Sequence, residues 1–329
     1  MNVKLKRSLS IFLSVCLFLV SVTVAFAQGD YDGKIIILHT NDIHGAIDKY
    51  AYISGIKKDF ESKGAEVILA DAGDFMQGTS YVNVEKGANA VSLMNSVGYN
   101  VTTVGNHEFD YGYENLLQQT ANAKFSVICS NVYKGNDLLL NANYTYTSSN
   151  GTKIGFFGLN TPETQTKANL SMIKGLTFKS GEALYKIAQQ QVNALAGADV
   201  IICLCHLGID SSSSPNRSLD VYNRVDGIDF MIDGHSHTVM TKGVLGEKIQ
   251  SAGKGGEKAG VIVVDEKTKT IEDNYLISID ENTPCDSSVK TLADGYIEKI
   301  KKEYAKVMFL SAKVMLTLYP ILLIIKQII

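Results

Sequence analysis

The sequence predicts an α/β fold, and three observations carry that prediction. Predicted strands and helices alternate along most of the 329 residues, as in sheets built from strand–helix–strand units. The strands are short and nearly continuous apolar runs, the composition of strands covered on both faces. Several end abruptly in clusters of His, Asp and Asn, and strand ends are where open α/β sheets bind ligands. The length accommodates one large domain or two modest ones, and 45% hydrophobic with 20% charged residues is ordinary globular composition.

At the N-terminus, Lys4, Lys6 and Arg7 precede an apolar run from Leu9 to Val24 that closes in Ala25-Phe26-Ala27. Charge, apolar stretch and small-x-small ending predict a secretory signal peptide over residues 1–27, and hence a secreted, periplasmic or cell-surface protein. The alternative, an uncleaved anchor, is disfavoured because the run falls short of the ~20 residues a spanning helix needs. Losing this segment removes three basic and no acidic side chains, so the formal net charge moves from −3 to −6. With no basic block elsewhere, that balance argues against nucleic acid as a partner.

Lys34 to Leu38 is the first strand, running into His39-Thr40-Asn41-Asp42-Ile43-His44-Gly45. A helix over Tyr50 to Ser62 leads to a second strand, Glu66 to Ala70, which ends in Asp71-Ala72-Gly73-Asp74. A helix at Asn89 to Val97 precedes the third strand, Tyr99 to Val104, and then Gly105-Asn106-His107-Glu108-Phe109-Asp110 sits on the turn into a helix over Tyr113 to Ala123. Phe125 to Cys129 is a fourth strand. Ser148-Ser149-Asn150-Gly151, between two β-rich runs in the stretch 141–159, predicts a hairpin. After a helix from Gly181 to Leu195, the strand Asp199 to Cys205 ends in His206, and Ile228 to Ile232 ends in Asp233-Gly234-His235-Ser236-His237. Val261 to Val264 and Tyr275 to Ser278 are expected to pair antiparallel. Val289, Leu292, Tyr296, Ile300, Tyr304 and Val307 recur at helical spacing, giving an amphipathic helix over residues 287–307 that must lie on an apolar surface.

Residues 308–329 form an apolar tail broken by Lys313, Pro320 and Lys326, whose longest stretch between lysines, twelve residues, is too short to span a bilayer. A packed terminal strand, a truncated or frame-shifted end replacing a further domain, and a weak membrane contact all fit it. Of five cysteines, Cys16 lies in the signal segment, and Cys129, Cys203, Cys205 and Cys285 are too few to frame a fold of this size with disulfides. They are expected to be core thiols. Cys203 and Cys205 adjoin His206, but no second Cys pair exists to complete a thiolate metal site.

All six histidines lie in the strand-end clusters, which is not how unrelated structural histidines distribute. His39 alternates with Asn41 and is left as a structural or supporting residue. His44, His107, His206, His235 and His237, with Asp42, Asp74 and Asn106, make a nitrogen and oxygen donor set without thiolate, which suits Mn, Zn, Fe or Co and not calcium. The donors are too many for one ion, whereas two divalent metal ions about 3.5–4 Å apart with a bridging carboxylate would use them. His107 and Asp110, three residues apart, can meet across one turn, the carboxylate orienting the imidazole.

These residues resemble the 5′-nucleotidase branch of the calcineurin-like metallophosphoesterases. Leu38-His39-Thr40-Asn41-Asp42-Ile43-His44-Gly45 looks like the family's first signature and Tyr99 through Asp110 like its second. Gly73-Asp74, His206-Leu207-Gly208 and Gly234-His235-Ser236-His237 look like its other metal motifs, in the family's order, and the resemblance reaches about residue 306. It implies a four-layer αββα sandwich over residues 28–286, with 287–307 as a connecting helix. It further implies that Asp42, His44, Asp74 and His237 hold one ion and Asp74, Asn106, His206 and His235 the other, Asp74 bridging. Some relatives have Gln where His237 stands. His107 and Asp110 become a catalytic dyad, and the reaction becomes release of phosphate from a small-molecule ester, a nucleotide first, by metal-activated water attacking phosphorus in line. Other phosphomonoesters or phosphodiesters, such as cyclic nucleotides or UDP-sugars, are the alternative, and a metal-bearing binding protein with little turnover is a second. The family's C-terminal domain, which stacks the base, finds no room after residue 307, so the expected substrate is inherited by resemblance alone.

Overall fold

Ile35 and Ile37 leave the first strand on one face and Ile36 and Leu38 on the other, and all four are fully buried. A strand apolar on both faces requires a packed layer on each side. The computed structural model describes residues 29–306. The predicted signal peptide and the apolar tail lie outside the described residues.

The strands in chain order begin with β1 (Lys34–Thr40), β2 (Glu66–Asp71), β3 (Val101–Thr102) and β4 (Ser126–Val127). There follow β5 (Val132–Lys134), β6 (Asp137–Leu138), β7 (Asn143–Thr147), β8 (Lys153–Asn160) and β9 (Leu176–Phe178). The rest are β10 (Val200–His206), β11 (Phe230–Asp233), β12 (Val239–Met240), β13 (Ile249–Ala252), β14 (Lys258–Asp265) and β15 (Thr270–Ser278). Helices are α1 (Lys49–Ser62), α2 (Ser80–Asn83), α3 (Ala88–Val97), α4 (Tyr113–Asn122), α5 (Thr164–Lys167), α6 (Glu182–Ala194) and α7 (Ser218–Tyr222). Residues 287–306 form one more, α8.

Two six-stranded sheets, ordered β15-β14-β1-β2-β3-β4 and β12-β13-β11-β10-β8-β7, pack face to face. In the first, β1 to β4 run parallel, β14 pairs antiparallel with β1, and β15 pairs antiparallel with β14. In the second, β8, β10, β11 and β13 are parallel, with β7 and β12 as antiparallel edges. The layer between the sheets is built by alternate residues of each: Ile35, Ile37, Ile68 and Val101 from one, Phe156, Ile202, Leu204 and Ile232 from the other. The residues in between point outward. Ile36, Leu38, Val67 and Leu69 meet α1, α3, α4 and α8, while Phe157, Cys203, Cys205 and Met231 meet α6 and α7. This is the αββα arrangement.

β3 and β4 are two residues each where longer strands are expected: β3 gives way to the polar turn at Gly105, and after β4 Ile128 bridges to Asn141. A small sheet ordered β6-β5-β9, flanking the main layers, escapes sequence patterning because its strands have two or three residues. Cys129, Cys203 and Cys205 are buried free thiols, but Cys285 is exposed and so is no core residue. It directly precedes the first helical turn of α8, outside either core face.

Candidate metal centre

The parallel strands of both sheets deliver their polar ends to one place. Asp42 and His44 follow β1, Asp74 follows β2, Asn106 and His107 follow β3, His206 ends β10, and His235 and His237 follow β11. Five of these, Asp42, His44, Asp74, His235 and His237, hold φ between 45° and 76°, the left-handed region that side chains with a Cβ disfavour. Such strain persists only where the surroundings over-determine it. Here the loops are stitched together: Asp42 donates its N–H to the Gly73 carbonyl at 2.9 Å, and His44 to that of Asp74 at 3.0 Å. Gly105 is required, since a Cβ there would lie against Asp74 Oδ1 and 2.7 Å from His206 Nε2.

Asp74 lies at the centre. Its Oδ2 is 3.0 Å from His206 Nε2 and 3.7 Å from His44 Nε2, and its Oδ1 accepts the His107 N–H at 2.9 Å. Asp42 Oδ1 is 3.6 Å from His44 Nε2, 3.8 Å from His206 Nε2 and 3.5 Å from His237 Nε2. The Nε2 atoms of His44 and His237 are 3.1 Å apart. His235 Nδ1 lies 2.9 Å from Asn106 Oδ1. All seven residues expected as ligands therefore converge, and within them Asp42 with His44 and His237, and Asp42 with Asp74 and His206, form compact triads of donor atoms.

The chemistry of this set fits cations. His206 is wholly buried; its Nδ1 donates to the Ala72 carbonyl at 2.7 Å, while Nε2 faces Asp74 and Asp42 without an aligned hydrogen-bond partner. The Asp74 contact at 3.0 Å is an ion-pair approach rather than a hydrogen bond. Burial alone would lower the His206 pKa, but the charges of Asp74 and Asp42 outweigh it and raise it to about 10, so a proton on His206 offsets the carboxylates when no metal does. Burial likewise opposes ionisation of Asp74, yet His206, His107 and His44 hold its carboxyl well below the usual range. His44 is raised against burial by Asp42 and Asp74, whereas His237 is lowered by burial and by the neighbouring His44 and Lys254 charges. Binding a cation here would displace protons, as ligand imidazoles demand.

His107 and Asp110 meet as expected, Nδ1 to Oδ2 at 2.7 Å, each about a third exposed. The Asp110 hydrogen bond raises the His107 pKa more than burial lowers it. A ring nitrogen of His107 also lies close to His44 and Asp74, so this imidazole borders the donor cluster from the solvent side. His39 is buried inside β1 and hydrogen-bonded to Gln250 at 2.9 Å; burial lowers its pKa to about 4, and it is a neutral structural residue.

Three supporting residues escape sequence reading. Glu108, which the sequence leaves without a role, is fully buried and accepts the N–H groups of Asp74 at 2.8 Å, Phe75 and Met76 at 2.9 Å and Gly105 at 2.6 Å. Asn41 donates to Asp42 Oδ2 at 2.7 Å and ties that loop to Gly253 and Ala252 at 2.7 and 2.8 Å. Glu163, after β8, reaches His235 Nε2 at 3.0 Å. The only cue for Glu108 is its place beside two site residues, and Glu163 lies in a stretch with no cue at all.

Residues 35–239 match the calcineurin-like phosphoesterase family. Among curated proteins, the chain is 32% identical over 249 residues to a 5′-nucleotidase of Diplobatis ommata, covering 68% of this chain and 41% of that one. It is 29% identical over 216 residues to protein UshA of Escherichia coli K12, covering 62% of this chain and 39% of the other. The chain thus spans about two fifths of the length of these curated relatives. Among solved structures, the calcineurin-like phosphoesterase YfkN of Bacillus subtilis superposes with a TM-score of 0.68 at 22% identity, covering 82% of this chain and 99% of that one.

Proposed function

The chain belongs to the calcineurin-like phosphoesterase family, and we propose that it is a secreted metal-dependent phosphohydrolase that releases phosphate from nucleotides. The observation that carries this reading is the wholly buried His206 Nε2, left without a hydrogen-bond partner between two carboxylates in a nitrogen and oxygen donor cluster. In this reading Asp42, His44, Asp74 and His237 would hold one divalent ion and Asp74, Asn106, His206 and His235 a second, with Asp74 shared. Bound there, the ions would supply a nucleophile at neutral pH and charge stabilisation for an in-line displacement at phosphorus.

The chain's own residues supply the rest. His107, whose imidazolium form the Asp110 hydrogen bond favours, stabilises charge growing on the phosphoryl oxygens and donates a proton from Nε2 to the leaving oxygen. His206 and His235 are largely enclosed, whereas His237 is 38% exposed, which leaves the approach for substrate on the His44, His237 and His107 side. The names of the relatives support a nucleotide as substrate. The test is phosphate release by the purified chain, loaded with Mn²⁺ or Zn²⁺, from nucleoside monophosphates, cyclic nucleotides, UDP-sugars and an aryl phosphate. Release from the monophosphates is expected. Release from the aryl phosphate alone would make it a generic phosphoesterase, and none from any substrate would make it a metal-bearing binding protein.

A further inference from the structure

We propose that Glu163 is a positioning residue of this centre, whose carboxylate selects the tautomer of His235 that leaves Nδ1 free to bind the second ion. The inference rests on the two-ion reading above. Glu163 Oε2 lies 3.0 Å from His235 Nε2, and an ionised carboxylate only accepts hydrogen bonds. Nε2 therefore carries the proton. Nδ1 is left as a lone pair, 2.9 Å from Asn106 Oδ1, itself an acceptor. Two acceptors at that separation repel unless a cation lies against both, so the Glu163 contact turns this pair of atoms into ligands. The Glu163 carboxyl is ionised, as this role requires. Its ion pair with Lys167 keeps it so.

Buried groups hold Glu163 in place. Asn160, at the end of β8, donates to the Val104 carbonyl at 2.9 Å and accepts from Thr164 at 2.8 Å. Asn131 grips the same residue from the other side, accepting its N–H and donating to its carbonyl, both at 2.8 Å. Val104 lies two residues before Asn106, so the strand end that offers one ligand and the turn that orients the other are fastened through one network. Lys167 Nζ lies 2.5 Å from Glu163 Oε2, so the second ion would neighbour an ion pair and not a bare third carboxylate. A hydrogen-bonded carboxylate behind a ligand imidazole fixes both ring orientation and basicity, and its loss typically weakens metal affinity by about 10–100-fold.

The test uses the full chain and the variants Glu163→Gln and Glu163→Ala. The Gln oxygen still accepts from Nε2; Ala offers nothing. Ring ¹⁵N shifts of His235 in metal-free protein should show the Nε2–H tautomer in wild type and Glu163→Gln, and a tautomer mixture in Glu163→Ala. Calorimetric titration with Mn²⁺ should show one of two sites weakened by about 10–100-fold in Glu163→Ala and only a few-fold in Glu163→Gln. An Nδ1–H tautomer in wild type overturns the proposal, as does an alanine variant with unchanged tautomer and both affinities intact. Equal weakening in the two variants would assign the effect to charge and overturn it as well. A wild type that binds one Mn²⁺ with the Nε2–H tautomer would instead sink the two-ion reading, and the two failures are thereby distinguished.

Discussion

His107 and Asp74 sit within one hydrogen bond of each other, yet their surroundings differ. Asp74 contacts His206 and His44 through one oxygen and the His107 backbone through the other. His107 meets Asp110 instead, at the rim of the cluster. His107→Ala should therefore reduce turnover by a factor of about 10²–10⁴ with metal content nearly intact, while Asp74→Asn should empty at least one site. Elemental analysis beside kinetics decides it, and equal metal loss in both variants would sink the division of roles. Glu108 supports Asp74 from behind. Glu108→Gln turns one acceptor oxygen into a donor facing two buried N–H groups, at about 1–3 kcal/mol each. Denaturant unfolding of the metal-free protein should show a loss of roughly 2–6 kcal/mol on that basis; a loss below about 1 kcal/mol would mean the loop does not depend on this carboxylate.

Among the elements, α8 is the one whose amphipathic pattern the sequence predicts without saying what it covers. Val289, Ala293 and Ile300 are buried, the first two packing into the core cluster that α1 and α3 also build. Its first turn is fastened by Asp286, whose carboxylate accepts the Ser288 N–H at 3.0 Å and the Ser54 hydroxyl at 2.7 Å and lies 2.6 Å from Lys58 Nζ. Asp286→Ala removes a helix cap and should cost about 0.5–2 kcal/mol near neutral pH. The Lys58 contact, with hydrogen bonds from Ser288 and Ser54, holds the Asp286 pKa well below the ordinary carboxylate range. A depressed folded-state pKa adds stability that is present above the unfolded value of about 3.9 and is lost as pH falls toward the folded one. The gap between wild type and variant in urea midpoints should therefore narrow below pH 4. A gap that widens there would contradict this account of the cap.

For the whole molecule, the important fact is that the site draws on five strand ends from two sheets. Opposed carboxylates and imidazoles gathered there favour the folded state only when their charge is balanced, by protons or by cations. Ions that bind this arrangement and not the unfolded chain stabilise it by about 2.7 kcal/mol at a hundredfold excess over Kd. Removing metal with a chelator should lower the melting temperature, restoring Mn²⁺ should recover it, and Asp74→Asn should respond far less. Identical melting curves with and without metal would argue that the cluster holds no ion tightly.

Much of this was legible in the chain itself. The apolar runs and their helical alternation determined an α/β protein, because strands covered on both faces have no polar alternation and so announce buried sheets. The recurrence of His, Asp and Asn at strand ends likewise pointed to a donor cluster, from which the family resemblance picked the seven residues that converge, and spacing of three within one turn, which is local geometry, pointed to the pairing of His107 with Asp110. What depends on distant chain segments was decided only by tertiary structure. Glu163 reaches His235 across 72 residues, and Glu108 grips a loop more than 30 residues away. Neither contact leaves a periodic trace. The left-handed backbone at five of the site residues is nearly as silent in sequence, since Asp and His signal positive φ far more weakly than Gly does. Composition and periodicity specify which residues are placed at strand ends; only the packing of one sheet on the other specifies which of them meet.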